Sequence, residues 1–381
     1  MHNFFKRLLH SAKVTGGNFF VTFLKHLFIR KQGSASRLHK ALSNSKPLVG
    51  SSSRVLIQST TIQLYEPQFF IDGSAQQKYL EMLANFGSKT IPSSGIISAN
   101  NVDMSFPIGM HLWNGKLFEE ALLDIYSLTN PKYVINLETI PFRKKKKISE
   151  AILLSLPWHY NFFHWMIEIL PRLLLYDLAE NLHHLKLIVP KSSPKFVRES
   201  LKLTGYENRA LFIDDGVYRF EKLHILSRFA KTCDISPFAI DWLTQKIQMG
   251  NAEIPRKRIY VSRSDAKIRY ITNELEIQNV LSDFGFETVI MSRYTLEEQI
   301  KIFQQAEIVV GSHGAAFAHT VFMKPGAIFI EFFESGHFNR CFYRIACLKK
   351  LKYGFLVGQK NGLGFSVDIA QLNNLLKQAL L

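Results

Sequence analysis

Cysteine is scarce in this chain, and the scarcity excludes whole classes of protein. Cys233, Cys341 and Cys347 are its three cysteines, without the even count or close pairing of a disulfide framework or a zinc site. A reducing, cytoplasmic setting is the expectation that follows. No stretch of about 18 uncharged apolar residues occurs, so a membrane-spanning helix is not expected. Neither G-x-G-x-x-G nor G-x-x-x-x-G-K-[ST] is present, which removes a dinucleotide fingerprint and a P-loop. Acidic residues are also few. Against 47 Lys and Arg stand 31 Asp and Glu, a formal charge of +16, which calls for an anionic partner: nucleic acid, an anionic membrane surface or a phosphorylated substrate. Nucleic acid is the poorest fit, because most aromatics sit in apolar, core-like runs and not among basic residues. The 381 residues are 47% hydrophobic, enough for two cored domains.

At the N-terminus, Phe20, Phe23, Leu24, Leu27 and Phe28 follow helical spacing beside Lys25, His26, Arg30 and Lys31. A similar piece holds Phe4, Phe5, Leu8 and Leu9 beside Lys6 and Arg7, with Gly16 and Gly17 between the two. Two basic amphipathic pieces suit either a membrane surface or a helix pair packed on the protein's own core. Lys25 interrupts the apolar stretch and no clear small-residue cleavage site follows, which argues against a cleaved signal. Residues 32–53 read as a polar linker, so the chain divides into 1–53, 54–245 and 246–381. "RVLIQSTTIQLY" reads as a strand. The basic run Arg143 to Lys147 reads as a solvated loop or edge strand, with contact to an acidic lipid or polymer as the alternative.

Beyond residue 250 the pattern is regular. "KRIYVSR", "FETVIM", "EIVVG" and "AIFIEFF" read as strands. Between them, "NELEIQNVLSDFG" reads as a helix with Asn273 as N-cap and Glu276 three residues on, and "TLEEQIKIFQQA" as one opened by the capping box of Thr295 and Glu298. Strands alternating with helices predict a parallel, doubly wound α/β sheet. In such sheets ligands bind beyond the carboxyl ends of the strands.

"VGSHGAAFAHTVF" (residues 310–322) lies at such an end. Ser312, Gly314 and Ala315 around His313 would let a ligand approach the backbone, and the N–H groups of a following helix would favour an anion. The plain alternative is a tight packing turn with His313 merely hydrogen-bonded; His319, further along, is expected to be structural. Arg263 and Arg269 could reach the same edge, where guanidinium forks match phosphate oxygens, or could be ordinary surface arginines. Glu331, inside "AIFIEFF", should be buried and so needs a partner, either a protein donor or a ligand hydroxyl. A second cluster, "WHYNFFHWMIEILPRL", brings Asn161, His164 and Glu168 together, the last two on one helical face. They suit a general base steadied by a neighbour, or a satisfied core pair; with no H-E-x-x-H and no third carboxylate they do not suit a metal. Arg172 could cap the helix or contact an anion.

Together, "NFFHWMIEILPRL", "YVSRSDAKIRYITNE", "EEQIKIFQQAEIVVGSHGAAFAHTVFM" and "AIFIEFF" resemble glycosyltransferase family 61 over roughly residues 150–355. The resemblance implies a GT-B architecture, two Rossmann-like domains facing across a cleft, with residues 54–245 on the acceptor side and 246–381 binding the nucleotide sugar. It implies inverting transfer without a metal or other cofactor from a nucleotide sugar, a UDP-sugar foremost, to a glycan or lipid-linked glycan. The absence of Asp-x-Asp agrees, since Asp214 and Asp215 have the wrong spacing. Carried over by position, Arg263, Arg269, Ser312, His313, Gly314, Ala315 and Glu331 are donor-side residues, Asn273 and Glu274 its Asn-Glu pair, and Asn161 and His164 its acceptor-side motif. His164 is the implied base, oriented by Glu168 or Asn161, with Glu168 as the rival. The expected setting is bacterial capsule or lipopolysaccharide synthesis at the inner face of the cytoplasmic membrane, the chain held there by its N-terminus. The alternative is a binding protein for nucleotide sugars or polysaccharide without catalysis.

Overall fold

The computed structural model describes residues 51–71, 73–83, 87–106, 110–113, 116–117, 143–154, 158–248 and 255–380. The two amphipathic N-terminal pieces, the membrane contact expected of them and all but the end of the linker lie outside the described residues.

The chain opens with β1 (Ser51–Ile57), β2 (Thr60–Leu64), α1 (Ser74–Leu83), β3 (Gly87–Ile91) and β4 (Ser94–Phe106). "RVLIQSTTIQLY" is thus two strands and not one. The break at Gln58 and Ser59 sends β1 onto β4, while β2 pairs with β3 in a separate two-stranded sheet. From there the chain crosses to the C-terminal half: the Gln68 and Phe69 N–H groups donate to the Tyr353 carbonyl at 2.7 and 3.3 Å. After that crossing, which lies between β2 and α1, and after β4, come β5 (Met110–Trp113), β6 (Lys116–Leu117), β7 (Lys145–Leu153), α2 (Leu173–Asp177), β8 (Leu187–Pro190), α3 (Lys195–Leu203), β9 (Ala210–Ile213), β10 (Gly216–Leu226) and α4 (Pro237–Lys246).

The first sheet has the order β6-β5-β4-β10-β7-β8-β9, with β1 also on β4. Its β10, β7, β8 and β9 run parallel, whereas β4 is antiparallel to β10, β1 and β5. It is therefore a mixed sheet. The basic run enters β7, where Lys145 lies 3.1 Å from Asp103, a carboxylate that also takes the fork of Arg219.

The second half holds β11 (Lys257–Val261), α5 (Glu274–Asp283), β12 (Phe286–Val289), α6 (Leu296–Gln304), β13 (Ala306–Ser312), β14 (Ile328–Glu334), α7 (Cys341–Lys349), β15 (Lys352–Asn361), β16 (Gly364–Ser366) and α8 (Ile369–Leu380). The strand order is β12-β11-β13-β14-β15, all parallel, with β16 antiparallel at the edge. This is the doubly wound sheet read from the sequence. The order reverses at β11, so the crevice between the carboxyl ends of β11 and β13 is its topological switch point. Thr295 and Glu298 form the expected capping box on α6. Asn273 does not cap α5 with its side chain; its amide instead exchanges two bonds with the Val367 main chain, at 2.9 and 3.0 Å. One apolar core runs between the halves, and two smaller ones cover the far faces of the sheets.

Candidate active site

At the switch point, Arg263 and Arg269 follow β11. Arg263 donates from Nη2 to the Ile268 carbonyl at 3.2 Å, and Arg269 from Nη1 to Nε2 of His337 at 2.6 Å. That bond makes His337 Nε2 the acceptor and so the unprotonated nitrogen; burial and the Arg269 charge push its pKa down. The Nε atoms of both arginines are buried without a hydrogen-bond partner among the described residues. Neither arginine forms an ion pair among the described residues. Burial, reinforced by the charge of Arg269, lowers the Arg263 pKa to about 10, and burial lowers that of Arg269 as well. Two half-buried cations that repel each other leave a site short of negative charge.

The small residues around His313 now have separate tasks. At Gly311 a Cβ would lie 2.7 Å from the Val261 carbonyl of the neighbouring strand. At Gly314 it would collide with Nη1 of Arg263, whose guanidinium lies across the bare backbone. Ser312 donates from Oγ to the Arg269 carbonyl at 2.9 Å, holding that residue in its left-handed conformation at φ 56°. Ala315 packs partly buried on the core. The helix that follows, Ala315–Phe322, is a 3-10 helix and not an α-helix. The positive charge here therefore comes from the two guanidinium groups more than from a macrodipole.

Glu331 is fully buried. Its Oε1 meets Nδ1 of His313 and its Oε2 accepts from the Tyr353 hydroxyl at 2.9 Å. Tyr353 in turn shares a hydrogen bond of 3.1 Å with the Tyr79 hydroxyl. Of the two partners open to Glu331, the structure supplies protein donors. Glu331 therefore reaches the site through His313, fixing its ring with Nδ1 inward. Glu274 likewise accepts from Tyr260 and Ser262 at 2.8 and 2.7 Å.

The second cluster sits on a π-type segment, His164–Ile169, that tightens to a 3-10 turn at Leu170–Arg172 before α2. Pro171 has no N–H to continue an α-helical ladder, and the Leu170 N–H reaches back to the Trp165 carbonyl. The segment sets Nδ1 of His164 at 2.7 Å from Oε2 of Glu168. The other oxygen, Oε1, accepts from the Cys233 N–H at 2.8 Å. Both carboxylate oxygens are occupied, which orients the imidazole with Nε2 outward. Among the described residues the Asn161 side chain has one hydrogen bond, accepting from the His164 N–H at 3.4 Å. Arg172 is buried and donates to the carbonyls of Glu168 and Leu226 at 2.7 and 3.2 Å, so it braces the backbone.

The two clusters approach each other. Ring contacts run from His164 to Phe163 (5.3 Å), from Phe163 to Phe342 (5.4 Å) and from Phe342 to His313 (5.1 Å). Sequence reasoning missed Cys233, His337, Phe342 and Tyr353. Of these only His337, inside the polar "ESGHFNR", left a local signal. His319 is buried against Gln299, with Nε2 at 2.8 Å from its Oε1, the structural place expected of it. Among the described residues no group of three or more His, Cys, Asp or Glu side chains is placed to hold a metal.

Residues 162–330 match the family model Glycosyltransferase 61. The matched segment contains His164, Glu168, Arg263, Arg269 and Ser312 to Ala315; Asn161 and Glu331 flank it. A stretch of 71 residues is 37% identical to the xylan glycosyltransferase MUCI21 of Arabidopsis thaliana, covering 18% of this chain and 14% of that relative. The chain thus matches about a seventh of the relative's length. Both matches are to glycosyltransferases.

Proposed function

We propose that this chain is a glycosyltransferase that moves a sugar from a nucleotide-sugar donor, a UDP-sugar foremost, to a hydroxyl of a glycan acceptor with inversion. The observation that carries the reading is the pair Arg263 and Arg269: two half-buried cations at the switch point of a parallel sheet, without a carboxylate ion pair among the described residues. A nucleoside diphosphate supplies the charge such a site lacks. The facing arrangement of two Rossmann-like halves in a GT-B fold is part of this proposal, supported by the order of the second sheet.

The chemistry follows from the two clusters. The acceptor O–H gives its proton to Nε2 of His164 while its oxygen attacks the anomeric carbon. The bond from that carbon to the diphosphate breaks on the opposite face, and the nucleoside diphosphate leaves with the electron pair. Charge building on it is met by Arg263 and Arg269. Glu168, with both oxygens engaged, serves as the residue that positions His164 and stabilises its protonated form.

The name of the relative makes a polysaccharide such as xylan one acceptor to test; bacterial capsule and lipopolysaccharide glycans are the other, at the inner face of the cytoplasmic membrane. Calorimetry with nucleoside diphosphates, followed by transfer assays on both kinds of acceptor, tests the reading. Binding of a nucleoside diphosphate that Arg263→Ala weakens, with transfer to a glycan, is the expected result. Unchanged affinity in Arg263→Ala for every common nucleoside diphosphate removes that residue from the site. Binding without turnover on any acceptor would favour a non-catalytic binding protein.

A further inference from the structure

A cavity of about 170 Å³ lies between β3 and α7, lined by Leu64, Leu83, Lys89, Arg340, Tyr343 and Arg344 among others. We propose that it binds an oxyanion group, a carboxylate, sulfate or phosphate, carried by the acceptor. The anion site stands on the geometry alone; its assignment to the acceptor rests on the glycosyltransferase reading.

Three cations line this cavity, and among the described residues one carboxylate pairs with them. Asp234 lies 2.8 Å from Nζ of Lys89 and also takes Nη1 of Arg344. Arg344 is 2% exposed, gives a second bond from Nη1 to the Cys233 carbonyl at 2.8 Å, and has a buried Nε with no hydrogen-bond partner among the described residues. Arg340 forms no ion pair among the described residues. A buried guanidinium with an unmatched donor, beside two further cations and a single acid, is an arrangement that an added anion relieves. The same imbalance shows in Lys89, whose pKa is lowered to about 8 by burial, then by Arg344, Arg340 and Lys231. The volume exceeds the ~10–15 Å³ needed by one water, so a carboxylate- or sulfate-sized group has room.

The place of the cavity favours the acceptor over the donor. Asp234 follows Cys233, whose N–H holds Glu168 beside His164. One short loop therefore supports both the proposed base and the cation cluster. The donor cations, Arg263 and Arg269, belong to the switch point of the second sheet and do not line this cavity.

The test uses the full chain carrying Arg263→Ala and Arg269→Ala, so that the switch-point cations cannot answer for the cavity. Sulfate, glucuronate and neutral glucose are titrated by calorimetry at low salt. The expected result is binding of sulfate and glucuronate but not glucose, weakened at least tenfold when Arg340→Gln and Lys89→Gln are added. Arg340→Gln alone, which breaks no ion pair, should show part of that loss in a chain with unchanged thermal unfolding. Sulfate keeps its charge across pH 7 to 9, so its affinity should fall as Lys89, flanked by Asp234, Lys231, Arg340 and Arg344, loses its proton near pH 8. Equal affinity with and without Arg340→Gln and Lys89→Gln overturns the site. In the chain with its switch-point arginines intact, those two substitutions should raise KM for an acidic acceptor and spare a neutral one. Loss of sulfate binding with no change in that KM overturns the assignment to the acceptor. A chain that transfers nothing refutes the enzyme reading while the sulfate titration still decides the site.

Discussion

The guanidinium of Arg263 lies across Gly314, in the space that any side chain at that position would fill. Gly314 has φ −171°, an extended conformation open to every residue, so its small size serves the close approach and not the backbone. Gly314→Ala should therefore leave folding nearly intact and displace Arg263. We expect nucleoside diphosphate affinity to fall roughly tenfold, about 1.4 kcal/mol, with thermal unfolding shifted little. Calorimetry and a melting curve on the same sample check both halves. Unchanged diphosphate affinity would separate Arg263 from the donor.

The pair of His164 and Glu168 predicts non-additive kinetics. Loss of a general base costs on the order of 10²–10⁴ in rate, so His164→Ala should lower kcat by that amount with donor KM nearly constant. Glu168→Gln keeps the shape of the side chain and removes the charge that faces Nδ1; a smaller loss of kcat is expected. Since Glu168 acts through His164, the double variant should be no slower than His164→Ala alone. If Glu168 were itself the base, its single substitution would give the larger loss.

The second sheet was legible because its signals are local. Strand–helix alternation, the Thr295 capping box and the run of small residues after β13 each declare themselves within a dozen residues. What was not legible depends on partners far apart in sequence. Asn273 has the look of an N-cap, yet its amide is taken by Val367, 94 residues away. Glu331 could be read as buried, but not that His313 and Tyr353 would fill both of its oxygens. The first sheet defeated a periodicity reading because antiparallel β4 joins parallel strands from the next segment, and because the chain visits the second half between β1 and β4. The π-type distortion at His164 left only Pro171 as its trace.

Buried Glu331 makes Tyr353 a stability position. Tyr353→Phe removes the Tyr353 donor from a fully buried carboxylate, while the Tyr79 hydroxyl keeps the Asn339 carbonyl at 3.3 Å. Stranding a buried polar group costs about 1–3 kcal/mol, so a destabilisation in that range is expected in urea unfolding. His313 keeps its own bond to Glu331, so diphosphate binding by the folded variant should change less than it does in Gly314→Ala. A variant as stable as the parent would mean that the Tyr353 hydroxyl contributes nothing to holding Glu331.

His319 predicts a specific loss of stability in mild acid. Its ring is wholly buried, and burial pushes its pKa down to about 3, against an unfolded value near 6.5. Between these values the unfolded chain binds a proton that the folded chain refuses, so stability contributed by the neutral ring is full above about pH 6.5 and drains as pH falls. From pH 7 to pH 5 the loss from this one group is about 2 kcal/mol. His319→Gln can still donate towards Gln299 but cannot titrate. The variant should be less stable than the parent at pH 7, because the ring's packing against Phe162 and Phe303 is lost. Its unfolding free energy should nevertheless fall less steeply between pH 7 and pH 5. Parallel pH dependences for the two chains would show that His319 takes no part in acid unfolding.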